Sequence, residues 1–147
     1  MRLSHWSRDP LTDVSDVDPE GMFPWKPVGL WVSVDGEYDW QAWCETENFG
    51  ELAAKTRYEI VLAPDANVLH LDTEAAIREF DATYGEGDKF QRNIRWRQIG
   101  ALYQGIIISP YQWTLRLSLL WYYGWDCASG CIWSASAVKE VRPWTAQ

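Results

Sequence analysis

Positive charge is scarce in this chain of 147 residues: thirteen Lys and Arg stand against twenty-one Asp and Glu, for a net charge of −8. That deficit argues against broad affinity for a phosphate backbone, which needs clustered basic side chains. The one local exception is a small basic cluster at Arg92, Arg95 and Arg97. Cysteine is also sparse and odd in number, at Cys44, Cys127 and Cys131. A secreted disulfide framework carries even counts at higher density, so reduced thiols in a cytoplasm are expected. Cys127 and Cys131 lack a second Cys or His pair nearby, and no metal site is expected. Long apolar runs are missing too. MRLSHWSRDP does not read as a signal peptide, and Leu115 to Trp125 is shorter than a membrane span. Internal repeats, low-complexity blocks, phosphate loops and dinucleotide-fold glycine fingerprints are absent. A Rossmann-type site is therefore not expected.

What the chain has in excess is tryptophan, eleven residues, with seven Tyr and four Phe. So much indole either packs a core and its rim or builds flat walls for a planar ligand. One domain spanning 1–147 is the economical organisation.

Alternation predicts a first strand over Arg2 to Ser7, then an irregular connection over 8–28 rich in Pro and Asp. Gly29 to Val34 reads as a buried strand, and Tyr38 to Phe49 as a short helix. Strands follow at Arg57 to Ala63 and Asn67 to Leu71. A helix capped by Asp72 or Thr73 then buries Ala76, Ile77, Phe80 and Tyr84 and ends at Gly85. Residues 86–93 read as a polar loop. Ile94 to Tyr103 fits another helix, packed through Ile99, Leu102 and Tyr103. Gly105 to Ser109 is β-branched and uninterrupted, as a buried strand requires. Trp113 to Trp125 has no clean period, and its alternation around Arg116 and Ser118 favours a strand over a helix. Gly130 to Ala135 reads as a terminal strand that Val138 to Val141 extends past a bend. The expected fold is α+β, with six or seven short strands and two or three helices.

Two segments carry candidate chemistry. In Leu3-Ser4-His5-Trp6-Ser7, a strand puts His5 and Ser7 on one face, with Ser4 and Trp6 on the other. A neutral imidazole there can bond a ligand hydroxyl; otherwise His5 is a surface residue. In Gly29-Leu30-Trp31-Val32-Ser33, a glycine permits close backbone approach and Trp31 offers a wall. Trp40 and Trp43 share a helix face and can supply the opposite wall, or all three indoles pack the core. A Cys–His nucleophile pair has no local support, and His70 in NVLHL reads as a strand-surface residue.

Taken in this order, the two segments resemble the ADP-ribosyltransferase-like superfamily, in its branch of diphtheria-type toxins and poly-ADP-ribose polymerases. There the first strand carries a His followed shortly by a small hydroxyl residue, and Leu3-Ser4-His5-Trp6-Ser7 is similar. The family's next strand reads Gly, aliphatic, aromatic, hydrophobic, small, and Gly29 to Ser33 matches that order. A second aromatic follows after about ten residues; Trp31 and Trp43 enclose eleven. The resemblance implies a split mixed or antiparallel sheet core with NAD, the substrate, held across it. It implies a nicotinamide ring between aromatics, the amide on backbone groups around Gly29 and Leu30, and His5 on the adenosine ribose. The family's late-strand glutamate has no counterpart, since its position falls on or beside Ser129. Asp126 is the nearest carboxylate. Either Asp126 reaches in from the preceding turn, another acid serves, or transfer is absent.

The implied activity is transfer of ADP-ribose from NAD to an acceptor that the sequence leaves open. Net acidity favours a protein or small molecule over nucleic acid as that acceptor. Asp126 and His5 are the candidate catalytic residues, and His5, Ser7, Gly29, Leu30, Trp31, Ser33, Trp40 and Trp43 the candidate NAD contacts. The alternative is a non-catalytic binding or inhibitor protein that sets its aromatic surface on a partner.

Overall fold

The computed structural model describes residues 1–50 and 52–147. The first strand, β1 (Leu3–Ser7), runs antiparallel to β2 (Leu30–Val34) and to β3 (Thr56–Leu62). Between β2 and β3 lies the helix α1 (Trp40–Thr46), started by Asp39, whose carboxylate accepts from the Ala42 amide at 2.8 Å. β4 (Val68–Leu71) leads into α2 (Glu74–Tyr84), and Thr73 is the cap. A small antiparallel pair, β5 (Gly85–Glu86) with β6 (Asn93–Ile94), leads to α3 (Trp96–Leu102). Then come β7 (Gly105–Ile108), α4 (Leu120–Tyr123), β8 (Ser129–Ile132) and β9 (Val138–Pro143).

Seven strands form one mixed sheet in the order β4-β7-β8-β2-β1-β3-β9. Only the β4–β7 pair is parallel, because α2 and α3 occupy the crossover between those strands. β7 is buried along its whole length, as its run of isoleucines predicts. Gly130 on β8 faces it at a distance that leaves no room for a side chain: a Cβ would stand 2.5 Å from the Ile106 carbonyl oxygen. The fold is thus a single α+β domain with a mixed sheet and a few short helices.

Three expectations need correction. Residues 113–125 are not a strand: a 3-10 turn at Trp113–Leu115 is followed by α4. Leu115, Trp121, Tyr122 and Trp125 are the residues buried there, and the spacing of the last three is helical. β9 does not extend β8. A 3-10 turn at Ala135–Ala137 redirects the chain, and β9 pairs with β3 at the opposite edge of the sheet. Leu102 is 57% exposed, and α3 buries Trp96 and Ile99 instead.

The indoles divide by what their N–H groups meet. Trp96 donates to the Pro24 carbonyl at 3.0 Å, Trp133 to the Tyr103 carbonyl at 2.7 Å, and Trp144 to Asp35 at 2.9 Å. Trp121, fully buried, donates to Asp81 at 3.0 Å, and Arg92 closes the other side of that carboxylate. Two members of the basic cluster are paired with carboxylates, and the third bonds a carbonyl. Arg92 pairs with Asp81, Arg97 pairs with Asp18 and Glu20, and Arg95 donates to the Thr83 carbonyl. The irregular 8–28 segment is tied down by Val17 N–H to the Trp133 carbonyl and Val28 N–H to the Pro19 carbonyl. Among the described residues no helix is long and apolar enough to cross a membrane.

Candidate functional site

β1 and β2 share only two ladder positions, Leu3 with Val34 and Ser4 with Ser33. Beyond Ser4, β1 continues along β3 while β2 continues along β8. A cavity of about 270 Å³ opens where the two strands part. The register would next oppose His5 to Val32. In place of that ladder bond, the His5 ring nitrogen Nδ1 lies 2.6 Å from the Trp31 carbonyl oxygen. A carbonyl can only accept, so Nδ1 carries the proton, and neutral His5 has Nε2 as its acceptor.

The cavity gathers His5 and Trp6 from β1, Trp31 and Ser33 from β2, and Trp40 from α1. Trp125 and Asp126 enter from the turn after α4, and Ser129 from the start of β8. Ser33 is fixed by accepting the Trp40 amide at 2.9 Å, which joins β2 to the helix that follows it. Ser129 stands opposite Ser33 in the β2–β8 ladder, and its hydroxyl donates to the Cys127 carbonyl at 3.0 Å. Ser4, expected to face away from His5, also lines the cavity and donates to Asp35 at 2.6 Å. Where the ladder stops, residues from both faces of β1 line the opening, while its other edge stays paired with β3.

Trp31 meets the edge of Trp125 with ring centroids 5.0 Å apart at 65°. Its face holds the Lys26 ammonium 5.1 Å from the ring centroid, so this indole already accommodates a cation. Trp125 is 1% exposed and its indole N–H has no acceptor in the protein; the same holds for the N–H of Trp6. Other buried donor atoms, on Arg2, Arg57, Arg95, Tyr111 and Arg116, also lack a partner among the described residues, and of the whole group only these two indoles line the cavity. Buried polar groups without partners are uncommon and costly.

Asp126 lies 3.8 Å from the Arg116 guanidinium. Burial raises its carboxyl above the ordinary aspartyl value, and Glu47 adds to that, while Lys26 and Arg116 pull the other way. Cys44, Cys127 and Cys131 are buried and unbridged, and burial pushes Cys127 up to about 12, with Cys44 and Cys131 also raised. No group of three or more His, Cys, Asp or Glu able to hold a metal ion occurs among the described residues.

Several expected contacts lie elsewhere. Ser7, Gly29, Leu30 and Trp43 do not line the cavity. A Cβ on Gly29 would stand 2.5 Å from the Ile132 carbonyl oxygen and 2.8 Å from Cys131 Sγ, so sheet packing against β8 accounts for this glycine. Trp43 lies behind Trp40, stacked on it at 4.9 Å and 10°, and lines a neighbouring groove that also reaches Asp126. His70 sits exposed on β4, within 2.8 Å of the Ser109 carbonyl. Sequence reasoning missed Lys55 and Trp125 as lining residues. An orphaned indole N–H is a property of packing, and no local pattern announces it. No family model, curated protein or solved structure matches the chain.

Proposed function

We propose that the chain is an NAD-dependent ADP-ribosyltransferase-like enzyme that cleaves the bond between nicotinamide and ribose. The observation that carries this reading is the convergence of His5, Trp31 and Asp126 on one cavity at the parting of β1 and β2. His5 and Trp31 are the residues that the two motifs nominate, and Asp126 is the carboxylate nearest the unmatched glutamate position. A space of about 270 Å³ suits the nicotinamide–ribose half of the dinucleotide, and not the whole molecule.

The lining chemistry fits that half. Trp31 and Trp40 offer π-faces, and the pyridinium ring of NAD is a cation like the ammonium now over Trp31. The unpartnered N–H groups of Trp125 and Trp6 supply donors for a carboxamide oxygen or ribose oxygens. His5 Nε2 accepts from a hydroxyl of the nicotinamide ribose, in place of the adenosine ribose that the resemblance implies, and Lys26 and Lys55 supply positive charge for the diphosphate at the cavity's mouth. As the glycosidic bond breaks, its electron pair goes to the ring nitrogen and nicotinamide leaves neutral. Positive charge builds at C1′, and a fixed carboxylate in a partly desolvated site stabilises it. Asp126 takes that role. The acceptor's nucleophile then bonds to C1′ and loses a proton.

A second reading is a non-catalytic binding or inhibitor protein. It is favoured by Ser129 at the start of β8, where the resemblance calls for an acid, and by the Arg116 contact that partly neutralises Asp126. Isothermal titration with NAD beside a nicotinamide-release assay separates the two. Binding with release is expected. Binding without release gives the second reading, and neither binding nor release removes the dinucleotide from the site.

A further inference from the structure

Asp126 also borders a second concavity, of about 250 Å³, between α1 and the 3-10 turn at Trp113. Its walls are aromatic. Tyr38 and Trp113 meet edge to face, 5.6 Å apart at 78°, so their faces form a corner, and Trp43 lines the same groove. Both corner rings are about half exposed. Four carboxylates also line it, from Glu37, Asp39, Glu47 and Asp126, against the single guanidinium of Arg116. Asp39 is occupied in capping α1, and Asp126 faces Arg116; Glu37 and Glu47 have no ion pair among the described residues.

Acidic side chains alone would make no more than a solvated rim. The aromatic corner changes that, because a cation held against indole and phenol faces gains attraction that water does not supply. The protein already uses this surface in that way once: the Arg116 guanidinium lies 5.9 Å from the Trp113 centroid and 5.0 Å from that of Tyr123. Charge complementarity and flat aromatic walls select a planar cation over a compact one, since a guanidinium stacks and also forks towards carboxylates. We propose that this groove docks an arginine side chain of a partner polypeptide, with Glu37 and Glu47 as its anionic rim and the Tyr38–Trp113 corner as its wall. The reading of the adjoining cavity is not required for this, since the two sites are probed by different ligands.

The test is titration of the protein with the peptide acetyl-Gly-Arg-Gly-amide and with its citrulline counterpart, which keeps the shape and loses the charge. Saturable binding of the arginine peptide is expected, weakened by added salt and at least about tenfold tighter than the citrulline peptide. Glu47→Gln and Trp113→Leu should each weaken it several-fold. The double change Glu37→Gln with Glu47→Gln, on exposed side chains that the core does not need, keeps the test valid if Trp113→Leu disturbs the turn. Equal affinity for the two peptides, no saturation by the arginine peptide, or unchanged affinity in the double variant would overturn the proposal. NAD titration of the same double variant reports on the cavity separately.

Discussion

The imidazole of His5 bonds the main chain of Trp31 at 2.6 Å, spanning the place where β1 and β2 stop pairing. One side chain thus replaces a ladder bond and leaves its second nitrogen uncommitted. Replacing His5 by Ala removes both functions. The variant should fold, with stability lowered by about 0.5–1.5 kcal/mol for the lost hydrogen bond. NAD affinity should fall by about tenfold, measured by calorimetry beside a melting curve. Collapse of the fold in this variant would make His5 a structural residue.

Trp31 should tolerate an aromatic replacement better than a small one. Trp31→Phe keeps a π-face towards the cavity and should bind NAD within several-fold of wild type. Trp31→Ala loses the face and part of the packing against Trp125, and binding should drop by about five- to 150-fold on a stacking contribution of about 1–3 kcal/mol. Equal binding by the two variants would show that the ring does not touch the ligand.

Asp126→Asn should cut nicotinamide release sharply while leaving NAD affinity nearly intact, because its charge matters as the bond breaks. In the wild type, release should fail on acidification, with a midpoint above the ordinary aspartyl value of 3.8, since burial raises this carboxyl. The stability effect has the opposite sense. A carboxyl whose pKa is raised by folding binds its proton more tightly in the native state, so its contribution is present at low pH. It is lost as pH rises through the folded pKa. Melting curves of wild type and the Asn variant across the acidic range should therefore diverge in favour of the variant as pH rises.

Gly29→Ala distinguishes packing from binding. The added Cβ would meet the Ile132 carbonyl at 2.5 Å, so the strand must shift and the melting temperature should fall, by about 1–3 kcal/mol of stability. A variant as stable as wild type, with NAD binding alone impaired, would return Gly29 to the ligand site.

The thiols give a solution check on burial. With Cys127 pushed up to about 12 and all three cysteines buried, the native protein should resist a thiol reagent at neutral pH and react fully once denatured. Fast labelling of the native state would contradict that placement.

Much of this was legible in the chain because local chemistry decided it. The isoleucines of β7, the Thr73 cap of α2 and the turn after Val34 each follow from a few adjacent residues. His5, Trp31, Ser33, Trp40 and Asp126 could be nominated for one site, and they line one cavity. Residues 113–125 resisted because Trp113, Leu115, Leu117 and Leu119 alternate with Thr114, Arg116 and Ser118 as a strand would, while tertiary packing selects a 3-10 turn and a helix. β9 resisted because the short turn before it carries the chain to a distant edge, which spacing alone does not encode. Trp40 and Trp43 share a helix face as expected, but a stacked pair can show one ligand only one of its rings.

A continuous seven-stranded sheet distributes shear over every interstrand ladder. In this molecule, main-chain coupling between β1-β3-β9 and the other four strands passes through two residue pairs and the adjoining Asp35 amide, which donates to the Arg2 carbonyl. Beside that narrow joint, Asp35 also gathers Ser4, Arg57 and Trp144, so one carboxylate braces it from three directions. Load applied between the two parts of the sheet passes through this brace, and one of its members, Ser4, also lines the cavity.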